Sequence, residues 1–445
     1  MSAVPGKFVP RRKAVVAPVA APQPQTVFNN VTSDGRQTVK FTLSPTDVAY
    51  ANTLRRVILT EVETVAFRSA ILENGSTSDV TIEKNSTPMS NEMLAHRIGL
   101  LPIFVTNPLE WKPETYTFKL NVVNDKSDPL DVTASDIQVF KDRGAEEEPL
   151  PIPSGEFFRL DPISQATPLL AVLKGRVTNQ EPEVLSFKAK ATVGTGRENA
   201  AFIPVSQCAY RYTPDEDATR RKEFFGAWLT NHKNINTAEL EENATRKAEL
   251  EREFSTMEVN RCFLVNEKNE PMSFDFIVES IGVLDPNYII ARALQVIQEK
   301  LVHYASIDAG DMPENMTILP ADARMKGHDF TFRKEDHTLG NMLQTWMDAN
   351  LIDSGEITYV GYKVPHPLKD EMVLRVGVED GKELTARTAV MKAARGLGAM
   401  FRNWATEWAA VGGTAAAPAN ASAKTLRGAI ESRRQAQKPE QSQAF

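Results

Sequence analysis

The stretch Ser44-Pro-Thr-Asp-Val-Ala-Tyr-Ala-Asn-Thr-Leu-Arg-Arg-Val-Ile58 reads as a helix with a marked start. Ser44 suits the cap, Pro45 the first helical position, and Asp47 the capping-box spacing. Ala51, Leu54, Val57, Ile58 and Val62 fall on one face at the helical period. Asn52, Arg55 and Arg56 occupy the polar side. A weaker copy of the centre lies downstream: Asn52-Thr-Leu-Arg-Arg56 aligns with Asn341-Met-Leu-Gln-Thr345, and Ala51 with Gly340. An alternating stretch precedes each copy, Val39/Phe41/Leu43 and Phe330/Phe332. A strand-then-helix unit used twice predicts two halves that pair with each other.

Length and composition bound the rest. The 445 residues leave room for two to three domains, and 42% hydrophobic residues can build ordinary cores. No apolar run is long enough to cross a bilayer. Residues 1–30 are rich in Pro, Ala and Gln, lack a signal-peptide core, and read as a disordered tail, as do residues 411–445. The expected location is intracellular. Cys208 and Cys262 are the two cysteines, too few for a disulfide framework or a four-cysteine zinc site, and the six histidines are scattered. No cofactor or metal is expected.

Charge is unevenly placed. The first 25 residues carry four positive charges and no negative ones; from Gly412 onward five positives oppose Glu431 and Glu440. The total is −7, so the body is near −14. Such a body is a poor nucleic-acid surface, because phosphate contacts dominate that binding. The basic tails read first as solubilising ends, and second as contacts to nucleic acid or an acidic partner.

Along the chain, Thr64 to Leu72 is expected as a strand. Ser90 caps a short helix through Leu94 and Ile98 that Gly99 ends. Tyr116, Phe118, Leu120 and Val122 alternate as a half-buried strand. Residues 113–260 have another texture, with an acidic loop, a Pro-rich run and short β-like runs, and read as a mainly β insertion. Inside it, Arg220 to Phe254 is charged and helical, with Glu242/Arg246 and Lys247/Glu251 at i,i+4 spacing. Phe274, Phe276 and Val278 restore the strand pattern, and Asp285-Pro286 starts a helix with a wide stripe from Ile289 to Val302. That stripe needs a partner helix. Residues 304–327 read as a linker spanning on the order of 25 Å. The second small domain has a strand near Phe330, a helix capped by Asp336, strands at Ile357–Lys363 and Met372–Val378, and a final helix from Glu383 to Trp408. Val390, Ala393, Ala394, Leu397, Met400, Phe401, Trp404 and Trp408 line its face. Gly396 and Gly398 there predict close packing or a kink, since each costs about 1 kcal/mol.

These residues match a known family. Asn52-Thr-Leu-Arg-Arg56 with Glu61-Val-Glu-Thr-Val-Ala66 resembles RNA polymerase alpha-like subunits. Asn85-Ser-Thr-Pro-Met-Ser-Asn-Glu-Met-Leu-Ala-His-Arg-Ile-Gly-Leu-Leu-Pro102 is similar to the signature of the third-largest subunit of eukaryotic RNA polymerase II and its archaeal counterpart, as is Phe276-Ile-Val-Glu-Ser-Ile-Gly-Val-Leu-Asp-Pro286. Glu335-Asp-His-Thr-Leu-Gly-Asn-Met-Leu343 and Val360-Gly-Tyr-Lys-Val-Pro-His-Pro-Leu368 resemble the eleventh subunit and its own archaeal counterpart. The chain therefore resembles a fusion of the two alpha-like subunits, as expected in large DNA viruses of eukaryotes, which would put it in a cytoplasmic viral factory, a virion or the nucleus.

The resemblance implies an α+β fold. Two alpha-like dimerisation domains, residues 31–112 with 261–303 and residues 328–410, would pair intramolecularly through helices, with the insertion in the first. It implies a non-catalytic assembly platform of a DNA-directed RNA polymerase on which the second-largest and largest subunits dock, with smaller subunits as further partners and nucleic acid reached only through the complex. Arg55, Arg56, His96, Arg97 and Gly99 would lie in docking elements; Leu54, Val57, Ile297, Leu343, Trp346, Leu397 and Trp404 would pair the halves. Many relatives hold zinc or an iron–sulfur cluster through cysteines of the inserted domain, which Cys208 alone does not support. Gln344 and Thr345 stand where a second basic pair is common, which implies an asymmetric platform. Without the resemblance, Arg55 and Arg56 read as a solvated helix face, and His96 and His337 as capping or packing residues rather than ligands. The alternative function is a free-standing nucleic-acid-binding protein using the tails. An enzyme in its own right finds no phosphate loop, nucleophile–base pair or Asp-rich metal motif.

Overall fold

The structure is a computed structural model. It describes residues 26–412 except 35–36, 71–78, 145–146, 162, 178, 236–243, 308–311 and 323–324. Both expected tails lie almost wholly outside these residues, as do Glu242 and the last two residues of the strand expected at Thr64 to Leu72.

The first half opens on β1 (Phe28–Ser33) and β2 (Thr38–Leu43), followed by α1 (Val48–Thr60) and β3 (Glu63–Ala66). Helix α1 begins later than Ser44. The Ser44 amide donates to the Val27 carbonyl (2.9 Å) and the Thr46 amide to Met272 (3.0 Å), which holds the chain extended until Asp47 takes the cap position. Ala51, Leu54, Val57 and Ile58 are buried as their spacing requires. Strand β1 corrects the tail boundary at residue 30. It pairs antiparallel with β2, and Phe28 is 3% exposed.

The insertion follows as β4 (Val80–Asn85), α2 (Asn91–Gly99), β5 (Tyr116–Asn124), β6 (Leu130–Thr133), β7 (Gln138–Lys141), β8 (Leu150–Ile152), β9 (Leu169–Leu173), β10 (Glu183–Ala189) and β11 (Thr192–Thr195). Five of these strands form one sheet in the order β4-β10-β5-β7-β8, with its own core that includes Leu94, Ile98, Phe118 and Phe187. This sheet does not divide the chain at residue 113. β4 and α2 belong with the insertion, because β4 pairs with β10 from a hundred residues on, a non-local contact that local pattern does not carry. At the other end, β12 (Val205–Tyr212) leaves the insertion and pairs with β13 (Phe274–Ser280), giving the sheet β1-β2-β13-β12. Between them stand α3 (Ala218–Trp228) and α4 (Ala244–Glu253), closed on a small cluster of Trp228, Leu229, Leu250 and Phe254.

Helix α5 (Pro286–Val302) starts as expected: the Asp285 carboxylate accepts from the Asn287 amide at 2.7 Å with Pro286 in the first position. Its stripe is buried from Ile289 to Leu301, but Val302 is 63% exposed and is not part of it. The expected linker is largely structured. Tyr304 and Ile307 are in the core, and β14 (Met316–Pro320) pairs with β15 (Gly327–Arg333). Then come α6 (His337–Met347), β16 (Tyr359–Lys363), β17 (Glu371–Gly377) and α7 (Glu383–Val411). The second sheet runs β14-β15-β17-β16.

Each half thus supplies a four-stranded antiparallel sheet and two helices, an α+β arrangement in which helices fill the space between sheets. α1 packs against its copy α6, and α5 against α7. One continuous core runs through both halves, from Phe41, Leu54 and Ile297 to Leu343, Leu397 and Trp408.

Candidate docking surface

The residues expected to pair the halves lie in or against this core. Leu54, Val57, Ile297, Leu343, Leu397 and Trp404 are each 4% exposed or less, and Trp346 packs at the edge. Gly396 explains its own presence: a Cβ there would strike the Trp346 indole. Gly398 does not, because nothing lies within 4 Å of its Cβ position, and α7 runs unbroken through both.

Charged groups fasten the seam. Arg56 on α1 donates from Nε to Thr338 Oγ1 (2.7 Å) and from Nη2 to Asp336 Oδ2 (2.9 Å). Asp336 is the α6 cap and accepts from the Thr338 amide at 2.8 Å. Burial would raise the Asp336 carboxyl, but the Thr338 hydrogen bonds, Arg56 and Arg197 hold it below its ordinary value. Lys300 at the end of α5 bridges Glu61 (3.0 Å) and Glu335 (3.1 Å), and Arg197 reaches Glu61 (3.5 Å) and Asp370 (2.8 Å). Burial works against the Lys300 charge, yet Glu335 and Glu61 outweigh it and raise the ammonium above its usual range. Burial also raises Glu335. Within the first half, Arg292 is 4% exposed and holds Glu63 and Glu299.

Sequence reasoning missed this seam, together with Lys300, Glu335, Arg197 and Arg292. Arg292 and Glu299 lie seven residues apart on α5, away from its apolar stripe, a spacing that sets both on one helix face and was the available signal.

The five expected docking residues separate into different roles. Arg56 is engaged by the second half, as described. Arg55 faces outward over a groove of about 720 Å³ lined by Asn52, Cys208, Tyr210, Arg211, Tyr212 and Asn260. Its guanidinium donates to the neutral Asn52 amide oxygen (2.9 and 3.0 Å), and it forms no ion pair among the described residues. On α2, the Ser90 hydroxyl caps the helix by accepting from the Met93 amide. Met93, His96, Arg97 and Leu100 are all exposed, at i, i+3, i+4 and i+7. Arg97 donates to the Leu169 carbonyl at 2.7 Å. Gly99 is buried; a Cβ there would lie 2.9 Å from Ser69 Oγ and 3.1 Å from the Phe67 carbonyl, so it serves close packing of the helix end. His337 is exposed, with Nδ1 3.3 Å from the Tyr362 hydroxyl. Gln344 accepts from the Tyr362 amide at 3.2 Å.

No group of three metal-ligating side chains occurs among the described residues, and burial pushes the Cys208 thiol up to about 12. Among the same residues no helix is long and apolar enough to cross a membrane.

Two four-stranded antiparallel sheets joined through paired helices define an α+β fold built from two like halves. The RNA polymerase Rpb3/Rpb11 dimerisation domain matches twice, over residues 40–301 and residues 328–407. The first match alone covers more than half of the chain. The chain is 28% identical to the DNA-directed RNA polymerase II subunit RPB3 of Schizosaccharomyces pombe over 60% of its own length and 82% of that relative. It is 26% identical to subunit rpb3 of Dictyostelium discoideum, over 66% and 96% of the two chains, and 26% identical to subunit Rpo3 of Archaeoglobus fulgidus, over 59% and 90%. The chain belongs to the Rpb3/Rpb11 dimerisation family, as an Rpb3-like, non-catalytic subunit of a multisubunit DNA-directed RNA polymerase.

Proposed function

We propose that this chain is a complete alpha-like pair in one polypeptide: an Rpb3-like half and an Rpb11-like half, fused, that form the platform on which the second-largest and largest polymerase subunits assemble. The observation that carries this reading is the single core running from α1 and α5 into α6 and α7. Two matched dimerisation domains in one chain support the fusion. A viral source rests on the fusion alone. Fusion raises the effective concentration of the halves without adding a contact. We assign the first half to residues 28–66 with 205–303, the insertion to residues 79–195, and the second half from residue 316 to the end of α7.

Within the platform, Arg55 and the exposed α2 stripe of Met93, His96, Arg97 and Leu100 form the docking face. Two features support them: a guanidinium outside any ion pair among the described residues, and apolar side chains left in water at helical spacing, of the kind that marks an interaction site. Arg56 is assigned to pairing, with Leu54, Val57, Ile297, Leu343, Trp346, Leu397 and Trp404. Gly99 acts indirectly, by seating α2. The platform is asymmetric because Gln344 is turned to the Tyr362 amide and offers no charge.

The test is capture of the second-largest subunit by tagged chain. Arg55→Glu combined with Met93→Ser should reduce capture at least tenfold while the isolated chain keeps its unfolding midpoint. Equal capture would refute the docking face.

A further inference from the structure

The chain leaving α2 crosses from the insertion to the first half. The Phe104 amide donates to the Phe157 carbonyl at 2.8 Å, and the Val105 amide to the Val283 carbonyl at 3.3 Å. Phe104 is half-buried, and the Arg159 guanidinium lies over its ring, 3.1 Å from the centroid. Stacking uses the flat face of a guanidinium. It leaves free the N–H edge, which grips a carboxylate through two parallel hydrogen bonds. Arg159 is exposed and forms no hydrogen bond or ion pair among the described residues. Partial burial pulls its guanidinium below the ordinary value, and no neighbouring charge restores it.

Two cavities, of about 720 and 690 Å³, share Phe104, Phe157 and Arg159 in their lining. The first is walled by the exposed apolar side chains of Leu160 and Ile281. The second is lined by Trp111 stacked on Tyr116, with ring centroids 4.7 Å apart. The other charges here are matched or committed. Lys112 and Lys141 stand against Glu110 and Glu156 in the second cavity. In the first, the Asp161 carboxylate accepts from the Ile163 and Ser164 amides, and the Asp285 carboxylate from the Asn287 amide. Among the described lining residues, Arg159 is the charge left without a counterpart.

We infer that Phe104, Arg159 and the two cavities form a docking groove for an extended segment of a partner polypeptide, in which one carboxylate side chain pairs with Arg159 and an apolar side chain on each side of it enters a cavity. An arginine backed by an aromatic ring, with apolar pockets beside it, is the chemistry that reads an acidic residue in an apolar context. The groove uses neither Arg55 nor the α2 stripe, so it stands whether or not those residues dock the large subunits.

A phage-displayed library of random nonapeptides, selected on the immobilised full chain, tests this. Peptides are kept if the Arg159→Gln chain no longer retains them. Each should carry Asp or Glu with an apolar residue within two positions on either side. By fluorescence anisotropy, synthetic copies should bind the full chain at least tenfold more tightly than the Arg159→Gln or Phe104→Ala chain. Changing the peptide's own acid to its amide should cost at least tenfold as well. Arg159→Gln alters an exposed side chain and should keep the unfolding midpoint, so its effect reads as a lost contact rather than a lost fold. Three results would overturn the inference: no selected peptide depends on Arg159, the dependent peptides are proline-rich or basic and lack an acid, or the amide copies bind as tightly as the acids.

Discussion

The Arg56 guanidinium meets the Asp336 carboxylate at 2.9 Å across 280 residues of sequence, and the acid it meets is the cap of the helix that copies its own. A side chain that reads as outward-facing is thus engaged in joining the halves. Both partners are about one-third exposed, so the pair is worth little by itself, about 0.5–1 kcal/mol. Arg56→Glu should nonetheless cost about 1–2 kcal/mol in urea unfolding, because it sets two carboxylates together at a helix N-terminus. Adding Asp336→Arg should recover at least half of that loss. No recovery would show that the pair does not couple the halves.

Gly396 and Gly398 make opposite predictions two residues apart. Gly396→Ala drives a methyl into Trp346 and should destabilise by about 1–3 kcal/mol. Gly398→Ala meets open space in a helix and should stabilise by up to about 1 kcal/mol. Thermal unfolding of the two variants side by side checks both signs.

Strand β1 is a strap over the end of α7. Phe28 touches Phe41, Trp404 and Trp408 and is 3% exposed. Phe28→Ala should cost about 3–5 kcal/mol, the range for emptying a buried aromatic site. Limited proteolysis of that variant should open first near the end of α7.

The seam has a pH dependence of known sign. Lys300 has a folded value above its ordinary 10.5, so its contribution is complete below 10.5 and is lost as pH rises through the folded value. Tyr288, pushed up to about 12 by burial, acts in the same direction from pH 10 to about 12. Asp336, held below 3.8, contributes above that value and is lost as pH falls through its folded value. On account of Lys300, Tyr288 and Asp336, stability measured by denaturant titration should hold up to about pH 9 and fall above pH 10. Glu335, raised above 4.5 by burial, adds a contribution that is complete below 4.5 and is lost as pH rises through its folded value. A maximum above pH 11 would contradict the Lys300 assignment.

Local pattern made the pairing helices legible. Ala51, Leu54, Val57 and Ile58, and the stripe from Ile289 to Leu301, are written at the helical period. Strand β1 was not legible, because its alternation is broken. Asn30 has a φ of +51°, and the register to β2 shifts between Asn29 and Thr32. β14 was hidden between Pro313 and Pro320, and β4 by a partner a hundred residues away. Arg55 and Arg56 were recognisable as a pair, but their division was not. Whether a helix residue faces water or a distant cap is decided by tertiary packing, which turns Arg56 to Asp336 and leaves Arg55 over the groove.

The central claim is that neither half can bury its helices alone. A protease site placed between residues 305 and 315 cuts the one covalent link, and size-exclusion chromatography of the cut protein at about 1 μM then reads the outcome. Shared burial predicts a single species at the mass of the intact chain, separating only when denaturant unfolds it. Two peaks of folded halves in native buffer would contradict it.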